Sequence, residues 1–336
     1  MAIRQSSIAK QIGVSQMTVS RALRGENGIS DEMRRRILEA AREAGMALPP
    51  SPKLAADKTL LHVICSMTVS PIGKHGESPF HARLTAGLQR GAQECASEIM
   101  SCPEFAAVWP QVVARGQVDG VVLVWGDEHN PLPAVDCPVP QVYIFHGPPH
   151  ADVVTVDNYS GGVRLGERLA AKGHRRVAFA GPDTWVARER LAGLRMGLES
   201  TGGECSPDLA QLKRGWGGEE PEIIDELLAG ETRPEVLRKR FTAFVGYNDW
   251  FAVHAIRRLN AIGLRVPEDM SVTGFDNVVP AWYDGPKLTT CAVPLEELGA
   301  EAARFLYWRI EHPNATRRTL TLESELMDGE TVAKVC

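Results

Sequence analysis

The run SIAKQIGVSQMTVSRAL, residues 7–23, decides how this chain is read. It predicts a helix, a tight turn and a second helix. The first covers residues 7–11, with Ile8 and Ile12 facing inward. Gly13 supplies the turn, where a left-handed backbone is cheap only for glycine. Ser15 stands at an N-cap position ahead of residues 16–23. Val14, Val19, Ala22 and Leu23 turn inward, which leaves Gln16, Met17, Ser20 and Arg21 on the outer face. A polar face at the start of a helix fits the DNA major groove. Gln and Arg are the side chains that make bidentate contacts to adenine and guanine edges. Ser15, Gln16, Met17, Thr18, Ser20 and Arg21 are therefore the candidate DNA contacts. The competing reading is a small solvated helical hairpin.

As I-A-x-x-x-G-V-S-x-x-T-V-S-R-A-L, residues 8–23 resemble the N-terminal signature of the LacI/GalR family of transcriptional regulators. Bulk properties agree with that resemblance. Residues 1–58 hold ten Lys/Arg and six Asp/Glu, a charge of +4, whereas the whole chain is −5, so the remainder is −9. A basic head on an acidic body suits a phosphate-binding module joined to a part that avoids nucleic acid. The seven cysteines, Cys65, Cys95, Cys102, Cys137, Cys205, Cys291 and Cys336, are scattered without a C-x-x-C pair, which favours a reduced setting. The polar N-terminus reads as no signal peptide, and no apolar run is long enough to span a bilayer; a cytoplasmic location and no membrane partner are expected.

Ser30-Asp31-Glu32 caps a third helix to about residue 44, with Met33, Ile37, Leu38, Ala41 and Ala44 as its apolar stripe and Gly45 as its end. The head is thus a three-helix helix-turn-helix domain, residues 1–46. Arg34-Arg35-Arg36 is either a phosphate contact or a solvated face. Residues 47–59 are rich in proline and read as a hinge or linker. The resemblance implies a short hinge helix here, formed on DNA, with Leu54 wedged into the minor groove. Ser51 and Pro52 suit its N-cap and first turn. The alternative is a stiff polyproline spacer in which Leu54 does nothing.

From residue 60 onward apolar strands alternate with amphipathic helices. Strands are expected at 60–66, 119–125, 140–145, 153–156, 176–180, 243–247 and 270–275. Helices are expected at 80–95, 161–172, 187–200, 219–229, 250–262 and 295–310. Strands apolar on both faces mean parallel α/β sheets, here two Rossmann-like subdomains with a ligand crevice at the carboxyl ends of their strands. The resemblance is strongest from residue 156 onward: V-D-N at 156–158, G-H-R-R-V-A-F at 173–179, A-R-E-R-L-A-G at 187–193, N-D at 248–249, G-L-R-V-P-E-D-M-S-V at 263–272, G-F-D at 274–276 and L-T-T at 288–290. It implies a periplasmic-binding-protein-like core. One subdomain would be residues 60–157 plus about 291–318, the other residues 158–290 plus about 319–336, with chain crossings near 157–160, 288–292 and 318. The stretch 96–108 looks shorter than the usual second strand and helix, which implies a trimmed edge.

Nothing in the sequence reads as an enzyme: the nine histidines lack ligand spacing, and there is no phosphate loop or nucleophile elbow. No cofactor is expected. The resemblance places an effector at Arg190, Asn248 and Asp276. A guanidinium, an amide and a carboxylate suit vicinal hydroxyls. For Arg190 the alternative is an internal salt bridge with Asp276 or Asp249. Trp216 falls where an aromatic ring covers a sugar face, or else anchors a loop. Asp249 reads as the cap of the helix from Trp250. His146 replaces the usual aspartate and Trp250 a polar residue, so the ligand differs from the best-known sugars. Phe80 and Trp282 either close the pocket or belong to the core. The expectation is a sequence-specific DNA-binding regulator, a repressor, acting as a homodimer on operator DNA and controlled by a sugar or sugar derivative. The alternative is a sugar-binding receptor with no transcriptional role.

Overall fold

The computed structural model describes residues 5–23, 29, 33, 36–37, 40–41, 58–64, 79–102, 109–125, 137–213, 220–228, 230–231 and 233–335. The chain divides into two compact units, Met1–Asp57 and Lys58–Cys336. In the first unit, helices α1 (Gln5–Ile12) and α2 (Gln16–Leu23) form where the sequence predicts them. Gly13 has a φ of +78°, and the amides of Gly13 and Val14 both donate to the Ala9 carbonyl at 3.0 Å. Ser15 caps α2, its Oγ accepting from the Thr18 amide at 3.0 Å. Ile8, Ala9, Val19 and Ala22 are buried together with Ile37, Ala40 and Ala41 of a third helical stretch. A core this small gives only modest stability. The expected cap at Ser30, the pair Arg34-Arg35 and the linker with Leu54 lie outside the described residues.

The second unit runs, in chain order, β1 (Lys58–Ile64), α3 (Pro79–Glu94), β2 (Ser97–Cys102), α4 (Trp109–Ala114), β3 (Gly120–Trp125), β4 (Gln141–Phe145), β5 (Asp152–Val156), α5 (Asn158–Ala171), β6 (Val177–Pro182), α6 (Trp185–Glu199), β7 (Ala210–Lys213), α7 (Glu220–Leu228), α8 (Pro234–Arg240), β8 (Ala243–Gly246), α9 (Asp249–Ala261), β9 (Ser271–Phe275), β10 (Thr289–Ala292), α10 (Leu295–Glu311), β11 (Thr319–Leu322) and β12 (Glu325–Met327). Two six-stranded sheets result. The first has the order β11-β5-β4-β3-β1-β2 and is parallel throughout. The second has the order β12-β10-β9-β8-β6-β7, parallel except for β12. β8 and β9 of the second sheet are buried along their whole length, as strands covered on both faces must be.

The chain passes between the sheets at Asp157, at Val293-Pro294 and at Glu323-Ser324. The last passage lies beyond the position near 318 read from sequence, because residues 319–322 pair with β5. That moves the boundary of the outer segment by about one short strand. Of the stretch 96–108, read from sequence as a trimmed edge, residues 103–108 lie outside the described residues. β2 is a full partner of β1 over six residue pairs at the sheet edge, and the helix after it is the short α4. Its sequence, SEIMSC, mixes polar and apolar residues because an edge strand is only partly covered.

Helix α6 packs on α5 with backbones nearly touching. A Cβ at Gly162 would collide with the Arg190 carbonyl oxygen, and one at Gly193 with that of Tyr159. This close approach fixes where Arg190 leaves its helix. In the first half, Arg309 of α10 is buried beside Asp152 of β5, its Nη2 donating to Oδ1 at 2.9 Å. Among the described residues, no helix is long and apolar enough to cross a membrane.

Candidate functional site

Two surfaces carry the predicted residues. On the head, Val19 and Ala22 point inward, and Ser15, Gln16 and Met17 are exposed, Met17 to 71%. Thr18, Ser20 and Arg21 are partly exposed. An exposed thioether of that extent on a helix of two turns has no packing role in its own fold. The Ser15 cap leaves the first turn of α2 rigid and presents Gln16, Met17 and Arg21 together.

The second surface lies where β5 leaves the first sheet and the strands of the second sheet end. Arg190, in the second turn of α6, is 5% exposed. Its Nε donates to Asn158 Oδ1 at 2.9 Å, its Nη1 to the Tyr247 carbonyl at 2.7 Å and its Nη2 to Asp276 Oδ1 at 3.0 Å. The guanidinium lies 4.3 Å from the centre of the Phe275 ring and 5.0 Å from that of Tyr247. Asn158 is pinned in turn, its Nδ2 donating to the Val156 carbonyl at 3.2 Å. Of the two readings of Arg190, the structure shows the internal salt bridge, made with Asp276 and not with Asp249. Three of the five guanidinium N–H groups are used in these bonds and two are left.

Asp276 sits at a φ of +95°, directly after β9. Burial pushes its carboxyl above the usual range, and Arg190 pulls it back. Asn248 is the N-cap of α9, its Oδ1 accepting from the Phe251 amide at 3.1 Å. That corrects the reading of Asp249 as the cap: α9 begins one residue earlier. Asp249 is instead buried, accepting from the Val278 amide and from Thr290 Oγ1, each at 2.6 Å. Burial first, and Asp276 second, push its carboxyl up to about 8, against the pull of Thr290, the Val278 amide and Arg190. A Cβ at Gly274 would collide with Asp249 Oδ1, so glycine there makes room for the acid.

His146 follows β4 of the first sheet, and its ring lies 5.4 Å from that of Trp185 at the start of α6. These two side chains face each other across the cleft. Partial burial lowers the pKa of His146. Phe80 stacks on Phe145 at 5.8 Å and packs against the first core, while Trp282 is spent on Trp250, His254 and Arg257. Trp216 lies outside the described residues. Sequence reasoning missed Asn158 and Tyr247 as supports of Arg190, and also His81. The latter is buried on α3 beside Phe80, its Nδ1 without a partner among the described residues and its pKa lowered by burial to about 4.

The described residues hold no group of three or more His, Cys, Asp or Glu that could bind a metal. Residues 6–46 match the family model described as bacterial regulatory proteins, lacI family, and residues 167–332 match the periplasmic binding protein-like domain. The HTH-type transcriptional repressor PurR of Mannheimia succiniciproducens is 28% identical, with 98% of each chain covered. The HTH-type transcriptional regulator CelR of Thermobifida fusca is 30% identical, with 96% of each chain covered. A solved complex of transcriptional regulator CelR with cellobiose superposes with a TM-score of 0.69 at 28% identity, covering 97% of this chain and 99% of that one. A helix-turn-helix head, two parallel sheets joined by three passages and full-length similarity to such regulators lead to one conclusion: the chain belongs to the LacI family of bacterial regulatory proteins and is a DNA-binding transcriptional regulator.

Proposed function

We propose that this regulator is a cytoplasmic homodimeric repressor whose operator affinity is set by a small carbohydrate-like effector held between the two sheet-bearing halves. Gln16, Met17, Ser20 and Arg21 read base edges, with Ser15 and Thr18 fixing the start of the helix and touching the backbone of the DNA. Arg190, Asp276, Asn248 and His146 contact the effector, and Trp216 covers one of its faces. The observation that carries this reading is the half-used Arg190–Asp276 pair. Two guanidinium N–H groups and a carboxylate oxygen remain beside each other, which matches a vicinal diol's need for donors and an acceptor. The similarity to a regulator solved with cellobiose supports the ligand class.

In this mechanism the effector bridges His146, after the first sheet, and Arg190 and Asp276, from the second half. It acts only through its differential affinity for two relative arrangements of those halves. The test is binding of the full chain to a fragment of its own upstream DNA, followed by fluorescence anisotropy across a salt series and with added sugars. Specific binding that weakens steeply with salt is expected from counterion release, together with a shift on adding one sugar. Salt-insensitive or non-specific binding overturns the DNA part, and indifference of a bound complex to every sugar overturns the effector part.

A further inference from the structure

We infer that Arg83, on α3 of the first half, is a positioning residue that holds the backbone carrying Asp276 and passes a pull on Asp276 to the first half. As a claim about effector response it rests on the reading of the cleft above; as a claim about Asp276 it stands on geometry. The span 276–278 is gripped from both halves. Asp276 and Asn277 follow β9 directly, with φ of +95° and +55°. Aspartate and asparagine visit the left-handed region more readily than most side chains, but as single residues; two in succession persist only where their surroundings hold them. From the second half, the Cys291 carbonyl accepts from the Asp276 amide at 2.9 Å, Thr290 Oγ1 from the Asn277 amide at 3.4 Å and Asp249 Oδ2 from the Val278 amide at 2.6 Å. From the first half, the Val278 side chain is seated in the core and Arg83 Nη1 donates to the Asn277 carbonyl at 3.3 Å.

Arg83 stands on a rigid base. A Cβ at Gly87 would collide with the Glu296 carbonyl oxygen and one at Gly299 with that of Leu84, so α3 and α10 lie backbone to backbone. Glu296, in the first turn of α10, accepts from Arg83 Nε at 3.1 Å and sets the direction of the guanidinium. Both side chains are more than a third exposed, and such a pair adds little to stability. Its effect is leverage on a strained element. Releasing Asn277 from its left-handed backbone rotates the chain beside Asp276, and a weak bond is enough to decide between arrangements that lie close in energy. With Arg83 in place, a pull on Asp276 reaches α3, the first helix after β1, the strand whose Lys58 opens the second unit.

The experiment is amide hydrogen exchange by mass spectrometry on the full chain, without added sugar, following peptides that cover residues 276–279. In R83M these amides should exchange on the order of tenfold faster than in the parent protein, as the locally opened form gains population. R83K, which keeps a donor for the Asn277 carbonyl, should recover part of the protection. R90M is the control: Arg90 ties the same two helices through the Glu296 carbonyl and Glu297 Oε2, each at 3.3 Å, and should leave residues 276–279 at the parent rate. R83M matching R90M, or no recovery in R83K, overturns the inference. The second readout is operator affinity by fluorescence anisotropy without sugar and at saturating glucose, ribose, cellobiose or maltose. Where one of these shifts the parent, the shift should shrink several-fold in R83M and persist in R90M; a full shift in R83M overturns the inference. If none of the four shifts the parent, the carbohydrate reading fails, and the exchange rates alone uphold or overturn the placement of Asp276 by Arg83.

Discussion

The second unit buries two arginine–aspartate pairs, one in each half, and they differ in how completely they are satisfied. Arg309 uses Asp152 together with the carbonyls of His312, Ala315 and Thr316. Asp152 in turn receives Arg317 Nη1 at 2.9 Å and the Arg318 amide at 3.0 Å. The two side chains are 1% and 0% exposed, and the pair ties α10 to the start of β5. Arg190 and Asp276 are nearly as buried, but Asp276 Oδ2 receives no donor among the described residues and two guanidinium N–H groups are unspent. Burial of an ion pair is thus no indicator of function. The pairs differ by what is left over: Arg309 keeps only its buried Nε without a hydrogen bond among the described residues, whereas Arg190 keeps two N–H groups and Asp276 one oxygen.

The sharpest way to break this contrast is Arg309→Met. It takes from Asp152 its buried partner, leaving half-exposed Arg317 and the Arg318 amide, and should cost about 3–5 kcal/mol of unfolding free energy, read from urea melts; a cost below that of the Arg190 variant would erase the distinction. Arg190→Met should cost less, about 1–3 kcal/mol, as Asp276 is already biased toward holding a proton. It should also abolish the response to effector while leaving operator affinity intact, which an induction curve tests. On the head, Arg21→Ala should weaken operator binding by about 1–3 kcal/mol and relax selectivity at one base position. Uniform weakening on all DNA in a gel-shift series would make Arg21 a phosphate contact.

A pH series sharpens the account of the acid beside the second pair. Burial, with Asp276 beside it, pushes the Asp249 carboxyl up to about 8, well above the ordinary 3.8 of an aspartate. The folded state therefore holds a proton that the unfolded chain has lost across that window, and stability falls as pH rises from about 4 to 8. Asp249→Asn should lose that slope, so the variant gains on the parent protein at each step of a urea-midpoint series from pH 5 to 8. Parallel profiles would place an ionised carboxylate there. The smallest effect expected is Ser15→Ala, about 1 kcal/mol of head stability from the lost cap, measured by circular dichroism melting.

Much of this was legible in the sequence because it is local. Ser15 and Gly13 mark the ends of α2 and α1 through backbone chemistry that needs only neighbouring residues. Strands such as β8 and β9 are apolar on both faces and announce themselves. Five strands are missing from the sequence reading: β2, β7, β11 and β12 lie at sheet edges, where partial exposure mixes the pattern, and β10 is only four residues long, two of them threonine. Arg190, Asn248 and Asp276 are singled out by family resemblance, but the sequence alone leaves open which partners Arg190 takes. Asn158 is 32 positions away and Asp276 is 86. Arg309 and Asp152 are 157 apart. One signal was available: Arg309 continues the buried stripe of Leu298, Ala302, Phe305 and Leu306 on α10, a place where a charge must have a partner.

Val278 adds a mechanical consequence. Its side chain is embedded in the interior of the first half, with Leu60, Leu84 and Val293, while its amide holds Asp249 of the second. Only two residues earlier, Asp276 grips Arg190. This short span is placed as a toggle pin: on the proposed reading, a guest that pulled on Asp276 would also drag a plug seated in the opposite half, coupling occupancy to the tilt between halves.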